Sequence, residues 1–158
     1  MNHLRRLFYR WIIKKYLKDC DSVLDLGAGT GIFYDVAAEE GKEVSGCDLD
    51  KRNIRDNIKL MSYQDVEGDY DAVWNCNLIE HVNQFEFMEV CKNHCKKVLI
   101  TVTGRPRKSF WDTPDHIRPY TKKCVERLYK AYGFKTVFSK NIYPTWAFVV
   151  VGVKENKE

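Results

Sequence analysis

Two kinds of apolar pattern alternate along the chain. Short runs rich in β-branched residues predict strands, and longer segments with apolar residues three or four apart predict helices. The predicted strands are Val23–Leu26, Glu43–Cys47, Ile58–Tyr63, Ala72–Asn75, Lys97–Thr103, Phe134–Asn141 and Trp146–Lys154. The predicted helices are Ile32–Glu40, Gln84–His94 and Lys122–Tyr132, with at most two helical turns between Lys51 and Asn57. Strands alternating with helices indicate an α/β fold.

The first twenty residues form a separate pattern. Leu4, Leu7, Phe8, Trp11 and Leu17 recur at helical spacing, and basic residues lie mostly off that stripe. We expect an amphipathic helix that packs on the domain. A basic helix on an anionic membrane or a nucleic acid is the alternative. The segment lacks the unbroken apolar core of a signal peptide or a membrane span.

The length of 158 residues corresponds to one domain, so we expect residues 1–158 to form a single unit, with residues 1–20 as its N-terminal helix. A net charge of +4 is too small by itself to indicate nucleic-acid binding. Six cysteines are too few for a disulfide scaffold, and several lie in apolar runs, which favours free thiols and a cytoplasmic location. Cys91, His94 and Cys95 lack a second cluster, so no metal site is expected.

A glycine-rich turn follows the first strand in Val23-Leu-Asp-Leu-Gly-Ala-Gly-Thr-Gly-Ile-Phe33. Glycines at a strand-to-helix junction permit a sharp turn and a close approach of a ligand to the backbone. A dinucleotide fingerprint needs its third glycine at position 32, where Ile32 stands, which argues against NAD. Asp25 would repel a pyrophosphate but tolerate a cationic ligand.

The second strand leads into Asp48, and a carboxylate at that edge can accept from both hydroxyls of a ribose. The chain thus resembles the class I S-adenosylmethionine-dependent methyltransferases. The resemblance rests on three segments in the right order: Asp25-Leu-Gly-Ala-Gly-Thr-Gly31, Cys47-Asp-Leu-Asp50, and Asp69-Tyr-Asp-Ala-Val-Trp-Asn-Cys-Asn-Leu-Ile-Glu-His-Val82. It covers most of the chain from Val23 to about Phe134.

The resemblance implies a Rossmann-like sheet of seven strands, six parallel and the last antiparallel, with helices on both faces. It also implies S-adenosylmethionine as cofactor. Gly27 and Gly29 would lie against its methionine part, and Asp48 would bind its ribose. Asp65 and Val66 would contact adenine, and Asn75 to Asn77 would border the sulfonium. The full implied cofactor set is Asp25, Gly27, Ala28, Gly29, Asp48, Leu49, Asp65, Val66 and Asn75.

The long loop from Thr103 to Tyr120 leaves the fifth strand on the side where such sheets bind ligands. Its basic and aromatic residues suit an anionic or sugar-like acceptor, and we expect the acceptor to contact Arg105, Trp111, Arg118 and Tyr120. His116 is the first candidate for a general base, and His81 is the second. A structural role for His116 in anchoring the loop is an equal alternative.

Three functions remain open. The leading one is methyl transfer to a small-molecule or glycan-like acceptor, with a hydroxyl as the acceptor group. The second is an inactive subunit that binds S-adenosylmethionine beside an active partner, and the third is a nucleotide-binding oxidoreductase. RNA also remains open as an acceptor because the N-terminal helix and Arg105 to Lys108 could form one electropositive surface. The sequence leaves the oligomeric state undetermined.

Overall fold

The computed structural model describes residues 2–156, and its centre is a seven-stranded sheet in the order β3-β2-β1-β4-β5-β7-β6. The strands are β1 Ser22–Leu26, β2 Glu43–Asp48, β3 Ile58–Leu60, β4 Tyr70–Cys76, β5 Cys95–Gly104, β6 Phe134–Ile142 and β7 Ala147–Lys154. Only β7 runs against its neighbours: it pairs antiparallel with both β5 and β6, while the other pairs are parallel. The predicted arrangement of six parallel strands and one antiparallel strand is confirmed.

Within residues 2–156, four α-helices cover the sheet: α1 Asn2–Tyr16, α2 Ile32–Glu39, α3 Gln84–His94 and α4 Lys122–Ala131. Residues of α1 and α2 pack in one apolar cluster on one face, and residues of α3 and α4 pack in a second cluster on the other. The β1 and β4 strands supply side chains to both clusters, because successive strand residues point to opposite faces. Helices on both faces therefore bury the central strands, as the parallel arrangement requires.

The N-terminal helix packs on the domain, but with a face that only partly matches the one predicted. Tyr9, Ile12 and Ile13 are buried, whereas Leu4 and Leu7 are exposed. Of the predicted stripe, Leu17 is buried and Phe8 packs against the core, so the prediction is correct only in part. The segment carries apolar residues at two helical phases, and periodicity alone does not select between them. None of the described helices combines the length and the apolarity needed to cross a bilayer.

Ion pairs fix the orientation of α1. Arg6 and Arg10 each contact Glu39 at the end of α2, at 2.5 and 2.8 Å, and Arg10 also contacts Glu40 at 2.7 Å. These pairs direct part of the basic face of α1 against the domain, in agreement with the packed helix.

The connection between β2 and β3 is shorter than an ordinary parallel crossover. It contains only a 3-10 turn, Lys51–Asn53, in which the Asp50 side chain accepts from the Arg52 backbone N–H. The β3 strand ends at Leu60, three residues before the predicted end at Tyr63, and a second 3-10 turn follows at Tyr63–Asp65. Residues 61–64 are thereby released from the sheet to line the cleft described below.

The cysteines agree with the predicted free thiols, since all six are unpaired and four of them are buried. Burial raises the pKa of the Cys47 thiol to about 11, so that it is protonated at neutral pH and packs as a small apolar side chain.

Candidate functional site

A cleft of about 790 Å³ opens beyond the carboxyl ends of β1, β2 and β4. This is the edge of the sheet where doubly wound α/β folds bind ligands. The residues that line it are Gly27, Gly29, Cys47, Asp48, Leu49, Met61, Ser62, Tyr63, Gln64, Cys76, Asn77, Leu78, His81, Val82, Asn83, Glu86, Asp115 and Ile117.

A smaller cavity of about 180 Å³ adjoins the cleft and shares Gly27, Gly29, Cys76 and Asn77 with it. Asp25 and Ala28 line this cavity, and α1 contributes Arg5 and Tyr9. The combined space therefore has a narrow end under α1 and a wide end toward the loop before α4.

The glycine turn has the backbone conformation that its sequence suggests. Gly27 and Gly29 have φ of 67° and 54°, in the left-handed region that side chains with a Cβ rarely adopt. A Cβ placed on Gly29 would meet no atom of the described chain within 4 Å, so the backbone at Gly29 is open to the space beside it. A ligand can approach the chain at this point more closely than a side chain would permit.

Asp25 is buried at the narrow end of the cleft. It is 1% exposed, and its Oδ2 atom has no hydrogen-bond partner among the described residues. Burial, with a smaller contribution from Asp48, raises the pKa of Asp25 from 3.8 to about 8. An unpartnered carboxyl beside an open glycine backbone fits a ligand with a cationic hydrogen-bond donor, such as an ammonium group.

Asp48 connects the glycine turn to the chain that follows β2. Its Oδ2 atom accepts from the Gly29 N–H at 2.7 Å, and its Oδ1 atom accepts from the Asp50 N–H at 2.8 Å and from Asn53 Nδ2 at 3.1 Å. A carboxylate has about four acceptor positions. Asp48 therefore caps the turn and keeps capacity for a ligand hydroxyl in the cleft.

The expected adenine contacts lie beside the cleft lining rather than in it. Asp65 is exposed at the end of its 3-10 turn, and Val66 is buried in the second apolar cluster. The segment just before them, 61–64, lines the cleft instead. The third strand ends three residues before its predicted end, which frees residues 61–64 for the cleft lining.

Asn75 was expected to border the sulfonium, but its side chain is fully buried in the sheet. Its Nδ2 atom donates to the Ile100 carbonyl at 3.0 Å and to Thr101 Oγ1 at 3.1 Å, and Tyr129 donates to the same Thr101 oxygen at 2.9 Å. The next two residues, Cys76 and Asn77, line the cleft. Asn77 has φ of 54°, a left-handed conformation that asparagine tolerates better than most residues.

The wide end of the cleft is closed by the loop that joins β5 to α4. The backbone N–H of Ile117 donates to the Glu80 carbonyl at 2.8 Å, which fastens this loop to the turn after β4. His81 and His116 come together there, with ring centroids 4.7 Å apart. His116 Nδ1 donates to the Phe110 carbonyl at 2.7 Å, which leaves its Nε2 atom as the basic nitrogen.

His81 also faces a carboxylate. Its Nδ1 atom lies 3.0 Å from Asp115 Oδ2, at ion-pair distance but without the alignment of a hydrogen bond. His81 and Asp115 both line the cleft, whereas His116 lies behind them, stacked on Phe110 at 4.3 Å. Of the two predicted base candidates, the second therefore lies closer to the open space.

Glu80 completes this group. It is 4% exposed, and its Oε2 atom has no hydrogen-bond partner among the described residues. Burial raises the pKa of Glu80, while the nearby His81 and His116 act in the opposite direction. A polar cluster of one carboxyl and two imidazoles thus lies at the wide end of the cleft, with Glu80 Oε2 and His81 Nδ1 lacking hydrogen-bond partners among the described residues.

The four residues expected to contact the acceptor lie outside the lining of the cleft. Arg105 Nη2 donates to the Thr145 carbonyl at 3.1 Å, with its guanidinium 4.8 Å from the Trp146 ring, and Trp111 is 62% exposed. Arg118 packs over Tyr120, which is buried and whose pKa burial raises to about 12. The loop instead reaches the cleft through Asp115 and Ile117.

Sequence reasoning did not identify Arg5 and Tyr9 on α1 as lining residues. Their contact with the cavity depends on which face of α1 packs, and that face was assigned correctly only in part. A correct phase for α1 would have placed Tyr9 inward. The exposed Arg5 leaves no such signal in the sequence.

The comparisons with known proteins agree with this architecture. A family model described as a methyltransferase domain matches residues 1–138. Among curated proteins, the chain is similar to the ribosomal protein L11 methyltransferase of Campylobacter concisus, with 24% identity over 98 residues. That alignment covers 62% of this chain and 34% of the relative, so the chain spans about a third of the relative's length.

Two solved structures share the fold over nearly the whole chain. A SAM-dependent methyltransferase from Archaeoglobus fulgidus superposes with a TM-score of 0.80 at 18% identity, covering 98% of this chain and 95% of that one. The 1,6-didemethyltoxoflavin-N1-methyltransferase of Burkholderia thailandensis, solved with its acceptor and S-adenosylhomocysteine, superposes with a TM-score of 0.78 at 16% identity. It is covered over 78% of its length, and this chain over 96%.

Proposed function

The chain belongs to the family of methyltransferase domains that use S-adenosylmethionine, and we propose that it transfers the methyl group to an oxygen of a small-molecule acceptor. The observation that carries the choice of oxygen is the pair of histidines beside a carboxylate on the wall of the cleft. A hydroxyl nucleophile needs a base within hydrogen-bond reach, whereas a neutral amine or a thiolate does not.

The residues at the narrow end fit the cofactor. The unpartnered Asp25 Oδ2 suits the ammonium of the methionine part, and the exposed Arg5 at the cavity rim suits its carboxylate. Asp48 can still accept a hydrogen bond from a ribose hydroxyl, and residues 61–64 supply a wall for the adenine ring. When bound, S-adenosylmethionine supplies a methyl group on a sulfonium that is already activated for displacement.

The protein then has two tasks at the acceptor end. The first is to hold the acceptor oxygen in line, a proximity effect that supplies roughly 7 to 11 kcal/mol at its best. The second is to accept the hydroxyl proton. His81 lies on the cleft wall beside Asp115, and His116 packs against it from behind, so this imidazole pair is our candidate base, with Asp115 as its orienting carboxylate.

The test replaces each histidine by asparagine. We expect His81→Asn and His116→Asn to lower turnover by roughly a hundredfold to ten-thousandfold at neutral pH, with cofactor affinity unchanged in calorimetric titration. The defect should shrink as the pH rises, because spontaneous ionisation of the acceptor replaces the missing base. The matched control is His94→Asn, since His94 is also held through Nδ1 by a backbone carbonyl, that of Gly68, but far from the cleft.

A pH-independent loss accompanied by a lower melting temperature would instead assign the histidines to anchoring the loop. Cofactor binding without turnover on any acceptor would favour the inactive partner subunit. Calorimetric titrations with NAD and with S-adenosylmethionine test whether the chain is instead a nucleotide-binding oxidoreductase.

A protein acceptor is the second candidate, and one observation favours it: the similarity to a ribosomal protein L11 methyltransferase. Incubation of the chain with labelled cofactor, a panel of hydroxylated small molecules, a ribosomal protein extract and total RNA separates these acceptor classes. Label in small hydroxyl compounds supports the proposal, whereas label confined to protein amines or to RNA overturns it.

A further inference from the structure

Three side chains at the acceptor end have the composition of a metal site. Glu80, His81 and His116 each offer a potential ligand atom, and these atoms lie within 4.8 Å of one another. One carboxylate and two imidazoles form a donor set used by divalent transition metals, with a coordination position left open for water or substrate. The potential ligands come from two distant segments, the turn after β4 and the loop before α4.

Two buried polar atoms of the cluster lack hydrogen-bond partners within the described part of the chain, as is typical of a site that binds a ligand. Buried polar atoms are normally paired, yet Glu80 Oε2 and His81 Nδ1 are both buried without a hydrogen-bond partner among the described residues. Burying such atoms unpaired is costly, and a cation bound by both side chains would lower that cost. Glu80 as a whole is only 4% exposed.

The orientation of His116 supplies an independent argument. Its Nδ1 atom donates to the Phe110 carbonyl at 2.7 Å, so its Nε2 atom carries the lone pair. Metal-binding histidines commonly donate their other ring N–H to a backbone carbonyl or carboxylate, which fixes the tautomer and the ring orientation. The stacking on Phe110 further restrains the ring.

The charge around the cluster favours a cation. Asp115 Oδ2 lies 3.0 Å from His81 Nδ1, which brings a second carboxylate to the edge of the group. The backbone bond from Ile117 to Glu80 holds the two segments together, so the cluster is assembled before any ion binds. A preassembled site loses little conformational entropy on binding.

We propose that Glu80, His81 and His116 bind one divalent transition-metal ion of the zinc type, and that its open position holds the acceptor oxygen. The second part rests on the proposed methylation of oxygen, and in it both imidazoles bind the ion, so that the metal takes the place of the imidazole base. With the ion bound, the acceptor hydroxyl coordinates it through oxygen, its O–H bond breaks, and the proton passes to water. The oxygen then forms the new bond to the methyl carbon, while the carbon–sulfur bond breaks and its electron pair stays on sulfur, so the electrons balance.

Metal binding is tested without acceptor or turnover. The full chain is freed of metal by dialysis against a chelator and titrated by calorimetry with Zn²⁺, Co²⁺ and Mg²⁺. We expect one Zn²⁺ or Co²⁺ per chain and far weaker binding of Mg²⁺, which prefers a shell of oxygen ligands. Glu80→Gln and His116→Gln should each weaken Zn²⁺ binding by at least about a hundredfold.

The control is His94→Gln, which should bind Zn²⁺ as the unaltered chain does, because His94 has the same Nδ1 arrangement outside the cluster. Circular dichroism verifies that each variant is folded. Equal binding by Glu80→Gln and the unaltered chain overturns the proposal, as does the absence of binding. A thiolate-to-cobalt charge-transfer band also overturns it, because the ion would then lie on cysteines.

Activity separates this inference from the proposed function. Loss of turnover on chelation, restored by Zn²⁺, supports a metal that activates the acceptor. Full turnover in the chelated chain, with the histidine dependence retained, overturns the metal's role and leaves the imidazole base standing.

Discussion

The two ends of the cleft are assembled in different ways. At the narrow end, one short stretch at the end of β1 and just after it supplies Asp25, Gly27 and Gly29, and backbone bonds join it to the adjacent strand, such as Ala28 N–H to the Cys47 carbonyl at 3.0 Å. At the wide end, the turn after β4 meets a loop more than thirty residues later along the chain, through the Glu80 carbonyl. The glycine turn at the narrow end is therefore set by one local stretch of sequence, whereas the wide end depends on a contact between two distant segments.

The largest expected effect is on cofactor affinity, with the wide end of the cleft left unchanged. Gly29→Val forces a branched side chain into a left-handed conformation and fills the open space beside the backbone. We expect S-adenosylmethionine binding to weaken by at least about a hundredfold, or roughly 3 kcal/mol, in calorimetry.

The matched control is Gly41→Val, because Gly41 has φ of 78° and open space around it but lies after α2, outside the cleft. It should lose stability to a similar extent and retain cofactor affinity. If both variants lose affinity equally, backbone strain rather than close approach explains the result.

An intermediate effect concerns Asp25, whose burial lowers the stability of the folded protein when no cofactor is bound. The unfolded chain releases this proton near pH 4 and the folded chain near pH 8, so over that interval the unfolded state binds fewer protons and stability falls as the pH rises. Asp25→Asn removes this dependence. We expect the variant to be more stable by on the order of 1 to 3 kcal/mol at pH 7.5, with a smaller gain at pH 5 and little at pH 3.5.

Urea denaturation at the three pH values measures the gain, and Asp69→Asn, at an exposed carboxyl, is the control. The same Asp25 variant should bind S-adenosylmethionine more weakly, because it cannot offer a carboxylate to the ammonium. A variant that gains stability without losing affinity would show that Asp25 does not face the cofactor.

The smallest expected effect belongs to the acceptor end. Arg118 is exposed, and its guanidinium contacts only the Tyr120 ring and Cys124 Sγ among the described residues. We expect Arg118→Ala to change stability by less than about 0.5 kcal/mol and to raise the KM of an anionic acceptor a few-fold without changing kcat. Steady-state kinetics with a charged and a neutral acceptor measures this, and a fall in cofactor affinity would place Arg118 with the cofactor instead.

The same division explains what could be predicted from the sequence. Most strands and the glycine turn followed from apolar periodicity and local turn chemistry, because each depends on neighbours within a few residues. The arrangement of six parallel strands and one antiparallel strand followed from the resemblance to the methyltransferases. The lining at residues 61–64 and at Tyr9 did not, because it depended on a strand end and on a helix phase that tertiary packing decides. Within the range 75–77 expected at the sulfonium, only the last two residues line the cleft, because the Asn75 side chain bonds to Ile100 and Thr101, which are far away in sequence.

The attachment of the acceptor loop to Glu80 is made entirely by main-chain atoms. A side-chain replacement between Arg105 and Tyr120 leaves both the Ile117 N–H and the Glu80 carbonyl in place, unless the new residue is a proline at 117. The exposed side chains of the loop, such as Trp111 and Arg118, can therefore be exchanged while its position is retained, whereas Phe110 and Tyr120 are buried and belong to its packing. We therefore expect that single substitutions at exposed positions of this loop can change which acceptor is preferred while the fold is retained.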